Sequence, residues 1–231
     1  MKEKNIKTDN KISTLFAFEQ SFWLKNKLIC GIDEVGRGCL AGPIVTAAVI
    51  LNQHAIHEKL KDSKLMSSLQ LEIIYDWIIQ NSQYAIGISN NRIIDQKNIY
   101  QATQITMKKS LYHLFHTTNH LPDIITIDAM PLSLQNTPYQ NIMIESWTQG
   151  ESKSASIAAA SIIAKVTRDR IMQKIHLSFP VYGLEKHKGY GTAIHIKALK
   201  ENKASIIHRK TFIKNFKGSK DEPNGQQNIF C

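Results

Sequence analysis

Two neighbouring carboxylates followed by a glycine-rich turn are the residues of this chain best suited to chemistry. Asp33 and Glu34 end an apolar run, and the turn 36–43, which carries a single arginine at Arg37, follows directly. Glycines let a backbone turn tightly or approach a ligand closely. The stretch therefore predicts an acidic site at the end of a buried strand, beside a loop that can hold a phosphate or a sugar edge.

The glycine spacing differs from that of the common nucleotide-binding loops. Gly36, Gly38 and Gly42 miss the dinucleotide fingerprint, whose third glycine falls one position earlier and opens a helix. A β-branched run follows Pro43 instead, and the sequence contains no Gly-Lys-Ser/Thr motif. Asp-Glu before glycine is also common in ordinary solvated turns. This stretch alone therefore leaves both a catalytic site and a plain turn open.

Two further acids occur in similar settings. Asp128 ends the apolar run 124–127 and so repeats the strand-end placement of Asp33, at the sheet edge where open α/β sheets bind ligands. Glu151 precedes a helix predicted over 153–176, whose N-terminus favours a phosphate or a metal-bound oxygen. Acids of this kind form a hard-oxygen ligand set that suits Mg²⁺ or Mn²⁺ and not zinc.

Divalent cations would also relieve the mutual repulsion of clustered carboxylates. Two such ions roughly 3.5–4 Å apart can activate water and stabilise the leaving oxygen in phosphodiester cleavage. One geometric condition applies, because neighbours on a strand point to opposite faces. We expect the strand to end or bulge at Asp33 and Glu34, so that both side chains serve one site.

The bulk properties favour a polyanionic partner. The 231 residues include 29 Lys and Arg against 19 Asp and Glu, a net charge of +10, and nucleic acid is the first candidate. The three cysteines are odd in number and lack C-x-x-C spacing, which argues against a zinc site or a disulfide framework and favours a reducing compartment. No signal-like or bilayer-length apolar segment occurs. We expect a cytoplasmic monomer without a membrane partner.

The apolar periodicity predicts strands and helices in alternation. The expected strands are one ending at Asp33-Glu34 and those at 44–51, 84–89, 124–128 and 142–147. The expected helices are a short one from Ser13 and those at 69–80, 98–115, 153–176 and 193–201. In the helix 69–80, capped by Ser67 or Ser68, we expect a buried apolar stripe of Leu69, Ile73 and Trp77, which could also include Ile74 and Ile78.

A second candidate for ligand contact is the basic stretch 187–192. It presents Tyr190 between two glycines and beside cations, which suits stacking on a sugar or base, although an ordinary loop tyrosine is the alternative. His187 could orient a phosphate or only hydrogen-bond the loop, and we favour the supporting role. Ser152 and Ser154 could donate to a phosphate or only cap the following helix.

Several of these segments together resemble the motifs of the ribonuclease HII family. They are 31–38 with 41–43, 62–64, 127–128, 156–169, 187–192, and 208–209 before 211–212. They occur in the family's order between about residues 28 and 213. Each segment alone is a weak signal, but the combination is highly specific.

The resemblance implies a ribonuclease H-like α/β fold, with a mixed central β-sheet flanked by helices and a helical C-terminal part from about residue 180. It divides the chain into an N-terminal extension 1–27, a catalytic domain 28–213 and a disordered tail 214–231. It also implies an endonuclease that hydrolyses the RNA strand of RNA–DNA hybrids and nicks duplex DNA at embedded ribonucleotides, leaving 3′-hydroxyl and 5′-phosphate ends.

Residue by residue, the resemblance assigns the acids to Mn²⁺ or Mg²⁺. Asp33, Glu34 and Asp128 match the family's metal-binding acids, while Glu151 stands where the family usually has aspartate. Glutamate reaches one methylene further, so we expect the second metal to sit differently or to be Mn²⁺. Asp169, four residues after Lys165, is instead expected to form a surface ion pair.

The resemblance also assigns substrate contacts. The segment of Gly36, Arg37 and Gly38 matches the one that reads the ribose 2′-hydroxyl, and Tyr190 matches the tyrosine that packs on the neighbouring deoxyribose. This agrees with the 2′-hydroxyl being the group that distinguishes RNA from DNA. The remaining substrate-binding candidates are Ser63, Lys64, Ser152 and His187. Leu65 replaces a lysine that is common in the family, so one phosphate contact is expected to be lost.

Three alternatives remain. A ribonuclease HIII-like enzyme tolerates glutamate as the fourth acid, but it carries an additional N-terminal substrate-binding domain for which residues 1–27 leave no room. A non-catalytic nucleic-acid-binding module would bind in a salt-sensitive way without cutting. A nuclease of the same fold but of the resolvase or integrase kind would cut DNA-only junctions.

Overall fold

Five apolar runs form strands that pair into one mixed sheet. In the computed structural model, which describes residues 14–214, the order across the sheet is β3-β2-β1-β4-β5. β1–β2 and β2–β3 pair antiparallel, while β1–β4 and β4–β5 pair parallel. The strands are β1 Ile29–Val35, β2 Ile44–Leu51, β3 Ser82–Ser89, β4 Ile124–Asp128 and β5 Met143–Trp147. The predicted mixed central sheet is confirmed.

Helices cover both faces of this sheet. They are α1 Ala17–Trp23, α2 Ser68–Gln80, α3 Asn91–Thr117, α4 Ala155–Ser178, α5 Leu184–His187 and α6 Ala193–Asn202. Single 3₁₀ turns occur at Thr14–Phe16, Ser63–Leu65, Gly150–Ser152 and Pro180–Tyr182. Within residues 14–214, none of the helices combines the length and the apolar composition that crossing a bilayer requires.

Both faces of the sheet are buried, and β2 contributes side chains to each face in alternation. Val45, Ala47 and Val49 pack with α1, α2 and α4, while Ala48 and Ile50 pack with α3. All eight residues of β2 are buried. The continuous apolar run at 44–51 is therefore the central hairpin partner of β1, as the sequence predicted.

The expected helical C-terminal part follows residue 180 and has an apolar cluster of its own. Leu184 in α5 and Leu199 in α6 pack there against Leu40 of the glycine-rich turn and Met172 of α4. The domain limits 28–213 remain a prediction. Residues 1–13, which are the first part of the predicted N-terminal extension, lie outside the described residues. So do residues 215–231, which are all but the first residue of the predicted tail.

The buried stripe predicted for α2 is only partly correct. Ile74 and Ile78 face the core and Trp77 is half-buried against it, but Leu69 is 72% exposed and Ile73 is 54% exposed. Leu71, which was not predicted, also faces the core. This helix is apolar almost all round, so its periodicity does not select one face. The cap was predicted correctly: Ser67 forms a reciprocal capping box with Gln70.

The third helix begins earlier than predicted. Asn98, the predicted start, has φ 62° and breaks α3 into two segments, and its side chain accepts a hydrogen bond from Gln101 N at 3.0 Å. Asn98 therefore caps the second segment, whose beginning agrees with the predicted start of the helix. The first segment, capped by Asn90, contains too few apolar residues to show a helical period.

α4 lies in backbone contact with β1. A Cβ added at Gly31 would stand 2.1 Å from the carbonyl carbon of Ser156 and 2.3 Å from Ile157 N. The first half of α4 is a run of alanine, serine and isoleucine, as expected for a helix that approaches a sheet closely. This contact fixes the distance between the strand that carries Asp33 and the helix opposite it.

We expect Gly31→Ala to lower the free energy of unfolding by about 1–3 kcal/mol, because overpacking forces α4 away from the sheet. Urea unfolding followed by circular dichroism measures the change. Gly38→Ala is the matched control, since an added Cβ there meets nothing within 4 Å, and it should change the free energy by less than about 0.5 kcal/mol. Equal stability of the Gly31 variant and the wild type would contradict the close contact.

Candidate active site

Three of the predicted acids border one cleft of about 290 Å³. Asp33 and Glu34 come from β1, and Asp128 is the last residue of β4. Because β1 and β4 are parallel neighbours, their carboxyl ends lie at the same edge of the sheet. The topology thus brings together acids that are about a hundred residues apart in the sequence.

The expected end or bulge of β1 at Asp33-Glu34 is wrong. β1 remains paired with β2 through Val35. What stops instead is the parallel pairing with β4, whose last residue pair is Ile32 with Ile127. One edge of β1 is open beyond residue 32, and both acids border the cleft from this open edge.

The cleft concentrates negative charge that water does not fully screen. Asp33 is buried, and its burial, together with the charge of Glu34, raises its pKa well above the usual range. Burial also raises the pKa of Glu34, although Arg37 Nη1, at 3.3 Å from Glu34 Oε1, opposes this. The pKa of Asp128 is raised by burial and by the neighbouring Glu151. The repulsion predicted among the acids is therefore present.

Glu151 lies beside Asp128 and is held by a lysine. Lys64 Nζ donates to Glu151 Oε1 at 2.6 Å, and Gly150 N donates to Asp128 Oδ1 at 2.7 Å. Burial is the largest single influence and would raise the pKa of Glu151, but the hydrogen bonds that the carboxylate accepts and the charge of Lys64 together outweigh it, and the pKa is lowered. Glu151 is therefore ionised and paired with the ammonium group of Lys64.

The donor atoms fit a divalent cation. Oε2 of Glu34 and Oε2 of Glu151 are buried without a hydrogen-bond partner. Such oxygens are costly to bury unless they bind something. Within residues 14–214 no three acidic, histidine or cysteine side chains already surround one point. Glu151 is paired with Lys64 in this structure. To bind a divalent cation, the carboxylates of Glu34 and Glu151 would therefore have to turn toward the ion.

Two buried arginines hold the glycine-rich turn, and the sequence analysis missed both. Arg209 donates to the carbonyl oxygens of Gly36 at 2.6 Å and Arg37 at 2.7 Å, and also to those of residues 42 and 43. Arg168 donates to the carbonyl oxygens of Pro43, Ala41 and Lys188. The only signal in the sequence was their place within two segments of the family resemblance.

The arginines also explain why a glycine is needed at position 36. Gly36 has φ +96°, a conformation that side chains rarely adopt, and an added Cβ would lie 2.2 Å from Arg168 Nε. Its carbonyl points to Arg209. The main chain of the turn is thus pinned from the interior, while its outer side borders the cleft.

Tyr190 also lines the cleft. The residue is 42% exposed, and Arg168 Cζ lies 5.8 Å from its ring centroid. The backbone of Tyr190 pairs with that of Cys39, next to the glycine-rich turn. The tyrosine and the turn therefore form one surface.

A chain of histidines holds the main chain at Tyr190. Ser205 N donates to His208 Nδ1 at 3.0 Å, so the ring proton of a neutral His208 lies on Nε2. This Nε2 faces His195 Nε2 at 3.1 Å, and His195 Nδ1 lies 3.0 Å from Tyr190 O. Only neutral His208 donating to neutral His195, which in turn donates to Tyr190, satisfies every contact.

Two predicted substrate-binding residues do not line the cleft. His187 is buried: Gly189 N donates to its Nδ1, its Nε2 lies 2.8 Å from Tyr182 O, and its ring stacks on His195. Ser152 is exposed and donates to Gln149 O. Ser154, and not Ser152, caps α4 by accepting a hydrogen bond from Ile157 N at 3.3 Å.

The wall opposite β1 comes from α4 and the Ser63–Leu65 turn. Ser63 and Lys64, two of the predicted substrate-binding residues, line the cleft, and Ser63 Oγ lies 2.9 Å from Ser161 Oγ. The predicted ion pair of Lys165 with Asp169 is confirmed. Ser161 and Lys165 also line the cleft, which the sequence analysis missed. Their separation by one helical turn was the available signal.

Comparison with known proteins identifies a family that this chain matches. The family model described as Ribonuclease HII matches residues 30–215. The curated Ribonuclease HII of Acetivibrio thermocellus is 47% identical over 191 residues, which cover 82% of this chain and 71% of that protein.

Solved structures share the fold. The ribonuclease H2 of Pyrococcus horikoshii OT3 has a TM-score of 0.67 at 23% identity, covering 80% of this chain and 93% of that chain. Bst-RNase HIII in complex with Mn²⁺ has a TM-score of 0.60 at 22% identity, covering 76% and 61%. At these identities the likeness concerns the fold alone, and the predicted ribonuclease H-like fold is confirmed.

The histidine chain predicts an acid-sensitive stability. Burial and the neighbouring His195 lower the pKa of His208 to about 4 from an ordinary 6.5. The unfolded chain therefore takes up this proton before the folded one, and stability falls as the pH drops from about 6.5 to about 4. For His208 alone we expect a loss of about 2 kcal/mol between about pH 7.5 and about pH 5.

Urea unfolding at the two pH values measures this loss. His208→Asn keeps an acceptor for Ser205 N but does not titrate, so its stability should depend less on pH than that of the wild type. His113→Asn, at an exposed position of α3, is the control and should keep the wild-type dependence. Identical pH dependence in the His208 variant would show that this ring is not held neutral.

Proposed function

The chain belongs to the ribonuclease HII family, and we propose that its cleft hydrolyses the RNA strand of RNA–DNA hybrids and nicks duplex DNA at embedded ribonucleotides. One observation carries the proposal: the acids of β1 and β4 line the same cleft as the turn 36–38 and Tyr190. Groups suited to phosphodiester cleavage thus lie beside groups suited to reading a sugar.

The turn 36–38 is suited to a ribose 2′-hydroxyl, which both donates and accepts a hydrogen bond. Arg209 occupies the carbonyl oxygens of Gly36 and Arg37 from the interior, and Arg168 holds the chain just after them at Ala41 and Pro43, so the outer side of the turn keeps its shape when a ligand approaches. Gly38 has open space where a side chain would stand. A sugar can therefore approach the main chain there without a clash.

The acids are suited to Mn²⁺ or Mg²⁺. Asp33, Glu34, Asp128 and Glu151 would hold the ions, and the buried unpartnered oxygens of Glu34 and Glu151 support this. When bound, such ions activate water and stabilise the leaving oxygen. The longer reach of Glu151 relative to aspartate favours Mn²⁺ at the position next to it.

Cationic side chains around the acids suit the phosphate backbone of a duplex. Arg37, Lys64 and Lys165 border the cleft. The side chain of Lys64 is largely exposed, so on substrate binding it can leave Glu151 and contact a phosphate. Leu65, where a second lysine is common in the family, is exposed and offers no such contact. We place this activity in a cytoplasmic monomer, with products that carry 3′-hydroxyl and 5′-phosphate ends.

The family match favours this function over the alternatives. Both the family model and the relative that is 47% identical are of type HII and not of type HIII. A panel of duplexes separates the remaining alternatives: the proposed enzyme nicks a duplex with one ribonucleotide, a binding module nicks none, and a resolvase-like enzyme cuts DNA-only junctions. Each duplex is tested with Mg²⁺ and with Mn²⁺.

Asp33→Asn should reduce cleavage of a duplex with one ribonucleotide by about a thousandfold or more, because a central oxygen ligand is lost. The variant should unfold at the same or a higher urea concentration than the wild type, since burial and Glu34 already disfavour the charge of Asp33. Single-turnover cleavage and urea unfolding measure the two effects. Unchanged turnover in this variant would remove Asp33 from the metal site.

Arg37→Ala should raise the KM for a ribonucleotide-containing duplex by about tenfold and leave the Mn²⁺ concentration for half-maximal activity within about twofold, since one charged contact is lost. Arg170→Ala is the matched control: Arg170 pairs with Glu72 on the exposed side of α4. Its kinetics should equal those of the wild type. If the Arg37 variant cuts every duplex normally, the assignment of this residue to substrate recognition is wrong.

A further inference from the structure

A buried carboxylate lies in α1, before the first residue that the family model matches. Glu19 is fully buried against the N-terminus of α4. Its Oε1 accepts hydrogen bonds from Ser154 Oγ at 2.6 Å and from Ser156 N at 2.9 Å. Its Oε2 is buried without a partner. Burying a carboxylate oxygen without a hydrogen-bond partner costs free energy, which indicates that Glu19 has a role beyond packing.

Glu19 extends the cap of α4. Ser154 accepts a hydrogen bond from Ile157 N, and the same hydroxyl donates to Glu19. A second free amide of the first turn, Ser156 N, is bound by Glu19 directly. Burial raises the pKa of Glu19, whereas the two hydrogen bonds and the helix dipole favour its charged form. The start of α4 is therefore fixed by a residue more than 130 positions earlier in the chain.

The start of α4 is hydrogen-bonded in turn to the acids of the cleft. Ser154 N donates to Gly150 O at 3.0 Å, and Gly150 N donates to Asp128 Oδ1 at 2.7 Å. Glu151 belongs to the same 3₁₀ turn, Gly150–Ser152. A displacement of Ser154 would thus be transmitted to Asp128 and to Glu151.

α1 packs against the elements on both sides of the Gly150–Ser152 turn. The ring of Phe18 makes an edge contact with Trp147, at the end of β5, with centroids 4.7 Å apart. Phe16 and Trp23 are buried in the same cluster as the alanines of α4. α1 therefore contacts both the strand that enters the Gly150–Ser152 turn and the helix that leaves it.

We propose that Glu19 is a positioning residue of the active site, which holds the Gly150–Ser152 turn so that Asp128 and Glu151 face the bound cation. Its effect on the reaction rests on the function proposed above. Its effect on the turn and on cation binding does not.

The test compares four variants of the full chain. Glu19→Ala removes the acceptor, Glu19→Asp shortens it by one methylene, and Glu19→Gln keeps an oxygen at the same reach. Phe16→Leu is the matched control, because it loosens the packing at the start of α1 but leaves the carboxylate of Glu19 and its two hydrogen bonds in place. The measurements are amide hydrogen exchange over residues 150–157, Mn²⁺ binding by calorimetry without substrate, and kcat and KM on a duplex with one ribonucleotide.

We expect Glu19→Ala and Glu19→Asp to speed exchange over residues 150–157 and to lower Mn²⁺ affinity and kcat by about tenfold, with KM for the duplex within about twofold. Glu19→Gln should stay within about threefold of the wild type in all three, because its amide oxygen still accepts both hydrogen bonds. Phe16→Leu should lower the unfolding midpoint but keep the wild-type Mn²⁺ affinity and exchange in this segment.

Equal Mn²⁺ affinity and equal local exchange in Glu19→Asp and the wild type would overturn the proposal, as would the same pattern of losses in Phe16→Leu and Glu19→Asp. If Glu19→Ala does not fold, the contrast between Glu19→Asp and Glu19→Gln decides. If the wild type leaves the ribonucleotide duplex uncut, the proposed function fails, while exchange and Mn²⁺ binding still decide the role of Glu19.

Discussion

Two buried guanidinium groups are the constraint on which the shape of the cleft depends. Within residues 14–214 neither Arg168 nor Arg209 forms an ion pair, and both bind main-chain carbonyl oxygens instead. Burial lowers the pKa of Arg209 to about 10, which shows the cost of keeping this charge inside. The planar guanidinium of arginine has five N–H donors spread over a fixed fork, so it reaches more carbonyl oxygens than the three donors of a lysine ammonium group. The turn beside the acids is therefore built around these cations.

The same cations lie close to the acids of the cleft. Asp33, Glu34 and Asp128 repel one another, and the glycine-rich turn next to them rests on buried positive charge. A polyanion accompanied by divalent cations would complement both groups together, since its phosphates match the basic side chains and its cations match the acids.

The sequence predicts best those features that depend on neighbouring residues. The run 44–51 forms β2 with the predicted bounds, and Asp128 ends β4, because β-branched apolar runs specify strands locally. Features that depend on distant contacts were missed. Nothing near Arg168 or Glu19 indicates burial, since charged residues are usually exposed. The buried face of α2 was predicted only in part for a related reason: packing against α4 and β3 decides which of its many apolar side chains are covered.

The backbone contact of α4 with β1 has a consequence for the geometry of the cleft. No side chain separates Gly31 from Ser156, so the spacing between strand and helix is set by main-chain atoms alone. Asp33 lies two residues further along this strand, and Ser161 lies five residues further along this helix. The width of the cleft is therefore insulated from changes in the volume of core side chains, and the interior of this fold can be repacked during evolution while the reacting groups keep their separation.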